Sequence, residues 1–152
     1  MSLSDPRTAF SNDKSFVLGP RKVTKDEIIE FAGEYDPIFF HLDEEEAKAS
    51  MLAGLTASGF HTCAMLMRMI CDSFLTESTC QGAPKVEHVK WLSPVRPGDE
   101  LSGTSTVLES RQSGSKPDLW ITKFNHTLQN QRGEAVIEMI VIVLFKIPGD
   151  VQ

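Results

Sequence analysis

Residues 60–75 carry Met65, Leu66, Met67, Met69 and Ile70, with Arg68 as the main charge. A helix that is apolar nearly all round is a buried helix. Everything after Pro84 reads as strand. Stretches 86–92 and 101–110 flank a turn at 94–99. Trp120, Thr122, Phe124, His126 and Leu128 recur at period two and share one strand face. Asn130-Gln131-Arg132-Gly133 is a hairpin turn, with Gly133 able to take positive φ. Residues 136–145 are nearly continuous β-branched and apolar, as expected of a central strand covered on both faces. One buried helix ahead of a run of antiparallel strands means a sheet wrapped around that helix. The expected class is α+β, an antiparallel β-sheet around a central buried α-helix.

The first half supplies shorter pieces. Residues 1–13 are polar and read as a flexible tail, leaving 14–149 as a single domain. Phe16-Val17-Leu18 suggests a short strand leading to a helix. Thr24 and Glu27 form a capping box for that helix. Ile28, Phe31, Ala32 and Tyr35 follow at helical spacing and mark its buried face. Pro37 ends it at Tyr35 or Asp36. Residues 43–50 read as a second short helix with Asp43 as N-cap, and Glu44, Glu45 and Glu46 are solvated partners of its positive end. Residues 75–84 are a polar connection.

Composition narrows the function classes. A chain of 152 residues is one domain by length. A formal net charge of −6 argues against nucleic acid as a partner. Three cysteines with no CxxC pair suit a reducing compartment and argue against a disulfide framework or a zinc site. Cys63 and Cys71 read as core residues of the long helix. The most apolar run, 135–147, is too short to span a bilayer and contains Glu138. The expectation is a soluble, cytoplasmic protein with no membrane partner. Neither metal-ligand spacing nor a glycine-rich phosphate loop is present.

The chemistry concentrates in residues 35–62. Asp36 and His41 lie five residues apart around Pro37, so they cannot share one regular helix. A carboxylate and an imidazole on an irregular loop are suited to hold one water between them. About twenty residues later Ser58 and Gly59 mark a helix start, where free N–H groups face outward. A water activated by an acid/base pair beside an N–H pocket for an oxyanion is a catalytic design. Each residue also has a plainer reading. Asp36 suits a turn or C-cap before proline, His41 a structural histidine, and Gly59 a close-packing position. His61 and His88 read as structural or peripheral, and His126 as inward-facing or interfacial.

With those residues in view, the chain resembles the MaoC-like dehydratases, the (R)-specific enoyl-CoA hydratases of the hot-dog fold. The likeness lies in the Asp36-Pro37…His41 pattern, the short acidic helix after it, and the glycine turn opening the central helix. It continues at Ser93-Pro94-Val95-Arg96-Pro97-Gly98-Asp99, a turn common in hot-dog proteins. The resemblance implies reversible hydration of a trans-2-enoyl-CoA to an (R)-3-hydroxyacyl-CoA, a lyase reaction of fatty acid metabolism. Asp36 and His41 would be catalytic, and Gly59, with Ser58, would bind the thioester oxygen. No cofactor is implied, since CoA is part of the substrate. Two alternatives stay open: a non-catalytic acyl-CoA-binding domain, and an acyl-CoA thioesterase. The second is disfavoured because thioesterases of this fold usually place a carboxylate near the start of the central helix, and residues 60–70 contain none.

Three further expectations follow. Phe39 and Phe40 depart from the family's pattern between Asp36 and His41, and would select a short or branched acyl group, with Met65 and Met69 behind them. A single small sheet leaves edges open, so a homodimer or higher homo-oligomer is expected. Replacement of Asp36 or His41 should leave the fold intact, as both sit on a loop.

Overall fold

The computed structural model describes residues 2–149. Helix α1 is Pro6–Ala9 and strand β1 is Ser15–Lys22. Helices α2 (Lys25–Tyr35), α3 (Phe39–Leu42), α4 (Glu44–Lys48) and α5 (Gly59–Ser73) follow. After a single 3-10 turn come β2 (Cys80–Trp91), β3 (Glu100–Gln112), β4 (Leu119–Gln129) and β5 (Ala135–Lys146). Among the described residues these strands form one antiparallel sheet in the order β1-β3-β4-β5-β2. The sheet wraps on α5, which is the expected α+β layout.

Local signals set many boundaries. Thr24 accepts from the Glu27 N–H while the Glu27 carboxylate accepts from the Thr24 N–H, a complete capping box. Asp43 caps α4 through the Glu45 and Glu46 amides. Gly133 takes φ 77° in the β4–β5 hairpin and donates to the Asn130 carbonyl. On β4, Thr122, Phe124, His126 and Leu128 are all buried, as their period predicts.

Other expectations are corrected. Residues 2–13 are not a loose tail: Asp5 caps α1, and Phe10 is fully buried with its ring stacked 4.3 Å from Phe145. An aromatic side chain can anchor a polar segment wherever the sheet and helix leave a hole. Helix α5 is covered on one side only. His61, Thr62, Met65, Leu66, Met69 and Ile70 are buried, whereas Phe60 and Met67 stay exposed. Cys63 and Cys71 are accordingly half-buried. Tyr35, placed on the buried face of α2 by its spacing, is 67% exposed because the helix runs past the edge of the core. The connection after α5 is shorter than expected, since β2 begins at Cys80. Strand β5 is not central; β4 is. The outward residues Glu138, Ile140, Ile142 and Leu144 of β5 are half-buried rather than covered.

Candidate active site

Asp36 arrives from the C-cap of α2, its N–H bound to the Ala32 carbonyl at 2.9 Å. The Asp36 carbonyl then accepts from the Ile38 N–H, and the Ile38 carbonyl from the His41 N–H. These two bonds fold the chain back. His41 therefore sits on the single turn of α3, not on an irregular loop, and its Nε2 lies 3.4 Å from Asp36 Oδ2.

The imidazole is oriented from behind. His41 Nδ1 is 2.6 Å from the Thr56 carbonyl oxygen. A carbonyl only accepts, so Nδ1 carries the proton and Nε2 of the neutral ring is the free base. His41 is 7% exposed, so its loss would strip a buried carbonyl of its partner. The expectation that any replacement leaves the fold intact is thus corrected for His41→Ala. Ser58 stands at the N-cap of α5, yet its hydroxyl makes no cap bond. It donates instead to Asp36 Oδ2 at 2.6 Å.

Gly59 is the first residue of α5, and its N–H has no acceptor within the helix. The close-packing reading of Gly59 also holds. A Cβ there would lie 2.8 Å from Trp91 Nε1, which donates to the Gly59 carbonyl. His41 and Gly59 line one cleft of about 270 Å³ together with Thr56, Thr62, Trp91 and Pro94. Phe39 and Phe40 are not on that cleft: Phe39 is 45% exposed and Phe40 packs partly into the core. Met65 and Met69 are buried on α5, and neither lines it.

A second, strongly apolar cavity of about 340 Å³ opens beside the C-terminal half of α5. Met67, Ile70, Phe74, Val86, Met139 and Val141 form much of its wall.

His61 and His88 do not line the cleft of His41 and Gly59. His61 stacks on Phe31 at 4.6 Å with Nε2 3.5 Å from Glu27 Oε1, and burial holds its pKa below the usual value. Burial raises the Glu27 carboxyl, but the bonds from Arg21 and Thr24 outweigh it and leave the pKa lowered. His88 lies 3.4 Å from Glu138. Among the described residues no three His, Cys, Asp or Glu side chains converge on a metal position, and no helix is long and apolar enough to cross a membrane.

Thr56, Trp91 and the Ser58–Asp36 bond were not legible as site features. Thr56 acts through its backbone carbonyl, which leaves no residue-type signal. Trp91 meets Gly59 only once β2 has been placed against α5.

An antiparallel sheet wrapped on one helix, whose N-terminus meets a carboxylate–imidazole pair, defines a hot-dog domain of the MaoC-like dehydratase class. The chain belongs to that family: the family model described as MaoC like domain matches residues 10–128. It is 34% identical over 138 residues to the uncharacterized protein YdeM of Bacillus subtilis (strain 168), covering 90% of this chain and 96% of that one. The crystal structure of a MaoC-like dehydratase from Rhodospirillum rubrum is similar at a TM-score of 0.85 and 38% identity, covering 93% of this chain and 97% of that one. The unliganded (R)-hydratase PhaJ1 from Pseudomonas aeruginosa shares the fold at a TM-score of 0.74 and 18% identity, covering 95% and 88%.

Proposed function

We propose that the protein adds water reversibly to a trans-2-enoyl-CoA, giving an (R)-3-hydroxyacyl-CoA. The observation that carries this reading is the orientation of His41: the Thr56 carbonyl holds Nδ1, so Nε2 faces Asp36 at 3.4 Å on a cleft that Gly59 also lines. The MaoC-like family membership and the fold shared with an (R)-hydratase support it.

In this mechanism one water sits between His41 Nε2 and the Asp36 carboxylate. Asp36, held by Ser58, accepts one water hydrogen and aims the oxygen at the β carbon. His41 Nε2 takes the other proton as the C–O bond forms. Electron density moves to the thioester oxygen, where the Gly59 N–H and the positive end of α5 stabilise it. The imidazolium then returns its proton to the α carbon, so one water is consumed and the ring is reset. CoA enters as part of the substrate, and no separate cofactor is needed. The apolar cavity by Met67 and Ile70 offers the acyl tail an apolar seat. Eight to eleven helical residues separate it from Gly59, roughly 12–16 Å along α5.

The test is loss of the enoyl-thioester absorbance with crotonyl-CoA and longer homologues. Asp36→Asn and His41→Asn should each lower turnover by about 10²–10⁴-fold, and the double variant should be little worse than the poorer single. Asn at 41 offers a donor for the Thr56 carbonyl while removing the base. Near-native turnover in either single variant would overturn the assignment of that residue. Release of free thiol without loss of the enoyl signal would instead mean hydrolysis. The one α5 carboxylate, Asp72, is exposed and paired with Arg68 far from the cleft, which disfavours that outcome.

A further inference from the structure

His126 is a buried hydrogen-bonding group that the hydration chemistry does not use. It faces Ser105 across the β3–β4 ladder, and both side chains are buried. Ser105 Oγ and His126 Nδ1 are 2.6 Å apart. No other described residue offers the Ser105 hydroxyl an acceptor. If Nδ1 donated, both the Ser105 hydroxyl proton and the Nε2 lone pair would lack a protein partner, against the Nε2 proton alone in the other tautomer, so that arrangement is the less favourable. Ser105 therefore donates to Nδ1, and the neutral ring carries its proton on Nε2. Neutrality follows from the surroundings: burial pushes the His126 pKa down to about 4.

The ring also lines the apolar cavity by Met67 and Ile70, and among the described residues it brings the one strong hydrogen-bonding side chain to that wall. No described residue accepts from its Nε2. A plain hydrocarbon chain filling the cavity would leave this N–H buried and unpaired. A carboxylate would enter an apolar space that holds no countercharge.

We infer that the cavity takes an acyl group bearing a neutral acceptor oxygen, as a hydroxyl, ether or carbonyl partway along the chain, which accepts a hydrogen bond from His126 Nε2. The inference rests on the acyl-thioester reading of the site. His126 is then a specificity determinant remote from the reacting carbons, not a catalytic residue.

Calorimetric binding of saturated acyl-CoAs tests this without any turnover. Each all-carbon chain is compared with analogues in which an ether oxygen replaces one methylene, scanned along the chain. At one position the ether should bind roughly tenfold tighter than the hydrocarbon. His126→Phe should erase that preference, and His126→Gln, which keeps a donor, should retain part of it. Ser105→Ala, a milder change, frees the proton to move to Nδ1 and should also weaken it. Nitrogen-15 NMR of the unliganded protein should place the His126 proton on Nε2. Equal or tighter binding of the hydrocarbon at every position, a preference that survives His126→Phe, or a proton on Nδ1 would each overturn the inference. An ether preference without enoyl-CoA hydration would sustain it while removing the hydratase reading; hydration without the preference would do the reverse.

Discussion

Gly59 couples two roles at one residue. Its amide opens the helix, and its missing side chain lets Trp91 approach to hydrogen-bond its carbonyl. In Gly59→Ala the new methyl must displace the Trp91 ring, at a cost of about 1–3 kcal/mol. Truncating Trp91 to Ala in the same chain should recover much of the added loss, a coupling that urea denaturation of all four proteins would show. Equal losses with no coupling would mean that the ring does not constrain this position. His126 sets a second residue-scale expectation. Its pKa falls from 6.5 to about 4 on folding, so the unfolded chain binds the proton more readily. The stabilisation is complete above pH 6.5 and is lost as pH falls toward 4, in total about 3 kcal/mol. His126→Phe should flatten the stability profile in that window, measured by denaturation at stepped pH.

Among the elements, the N-terminal segment is anchored by the Phe10 ring, with hydrogen bonds joining Phe10, Asn12 and Asp13 to β3 beside it. Phe10 lies within 6 Å of Phe16, Phe74, Phe124 and Phe145 by ring centroid, so it bridges α1, β1, the end of α5 and the sheet. Phe10→Ala should cost about 3–5 kcal/mol, a large share of a domain's stability. A thermal midpoint unchanged by that substitution would return the segment to the status of a tail. The capping box of α2 has a different reach. Glu27 closes the box, binds Arg21 at 2.9 Å and stands beside His61, so one carboxylate ties β1, α2 and α5 together at the N-terminal end of α2.

For the whole molecule, the open edges of the sheet decide assembly. The ladder of β1 is interrupted at Gly19-Pro20, where Pro20 has no amide to donate, and its register shifts between Leu18 and Arg21. Strand β2 is the longer free edge. Val86 and Trp91 on it, with Phe60 and Met67 on the adjoining α5 surface, are all exposed in the single chain. We expect a homodimer pairing through β2, with a light-scattering mass twice that of the chain. Val86→Lys should shift it toward monomer. A monomer in the unaltered protein at micromolar concentration would remove this assembly.

The sequence by itself determined what depends on near neighbours in the chain. The capping box at Thr24, the stop at Pro37, the Asp43 cap and the Gly133 hairpin follow from bonds spanning a few residues. The alternation along β4 fixed which of its side chains turn inward, and the spacing of Asp36 and His41 around a proline singled out the pair. Only the tertiary structure decided features made by distant segments. Strand order put β4 at the centre, because continuous apolar character in β5 records burial but not rank in a sheet. The apolar sequence of α5 could not say which side would stay uncovered. The His41 tautomer comes from a carbonyl fifteen residues away, and the Asp36 orientation from a hydroxyl twenty-two residues away. The His126–Ser105 pair exists only because the β3–β4 register sets those two residues opposite each other. Such partners meet by long-range packing, which residue type and spacing do not encode.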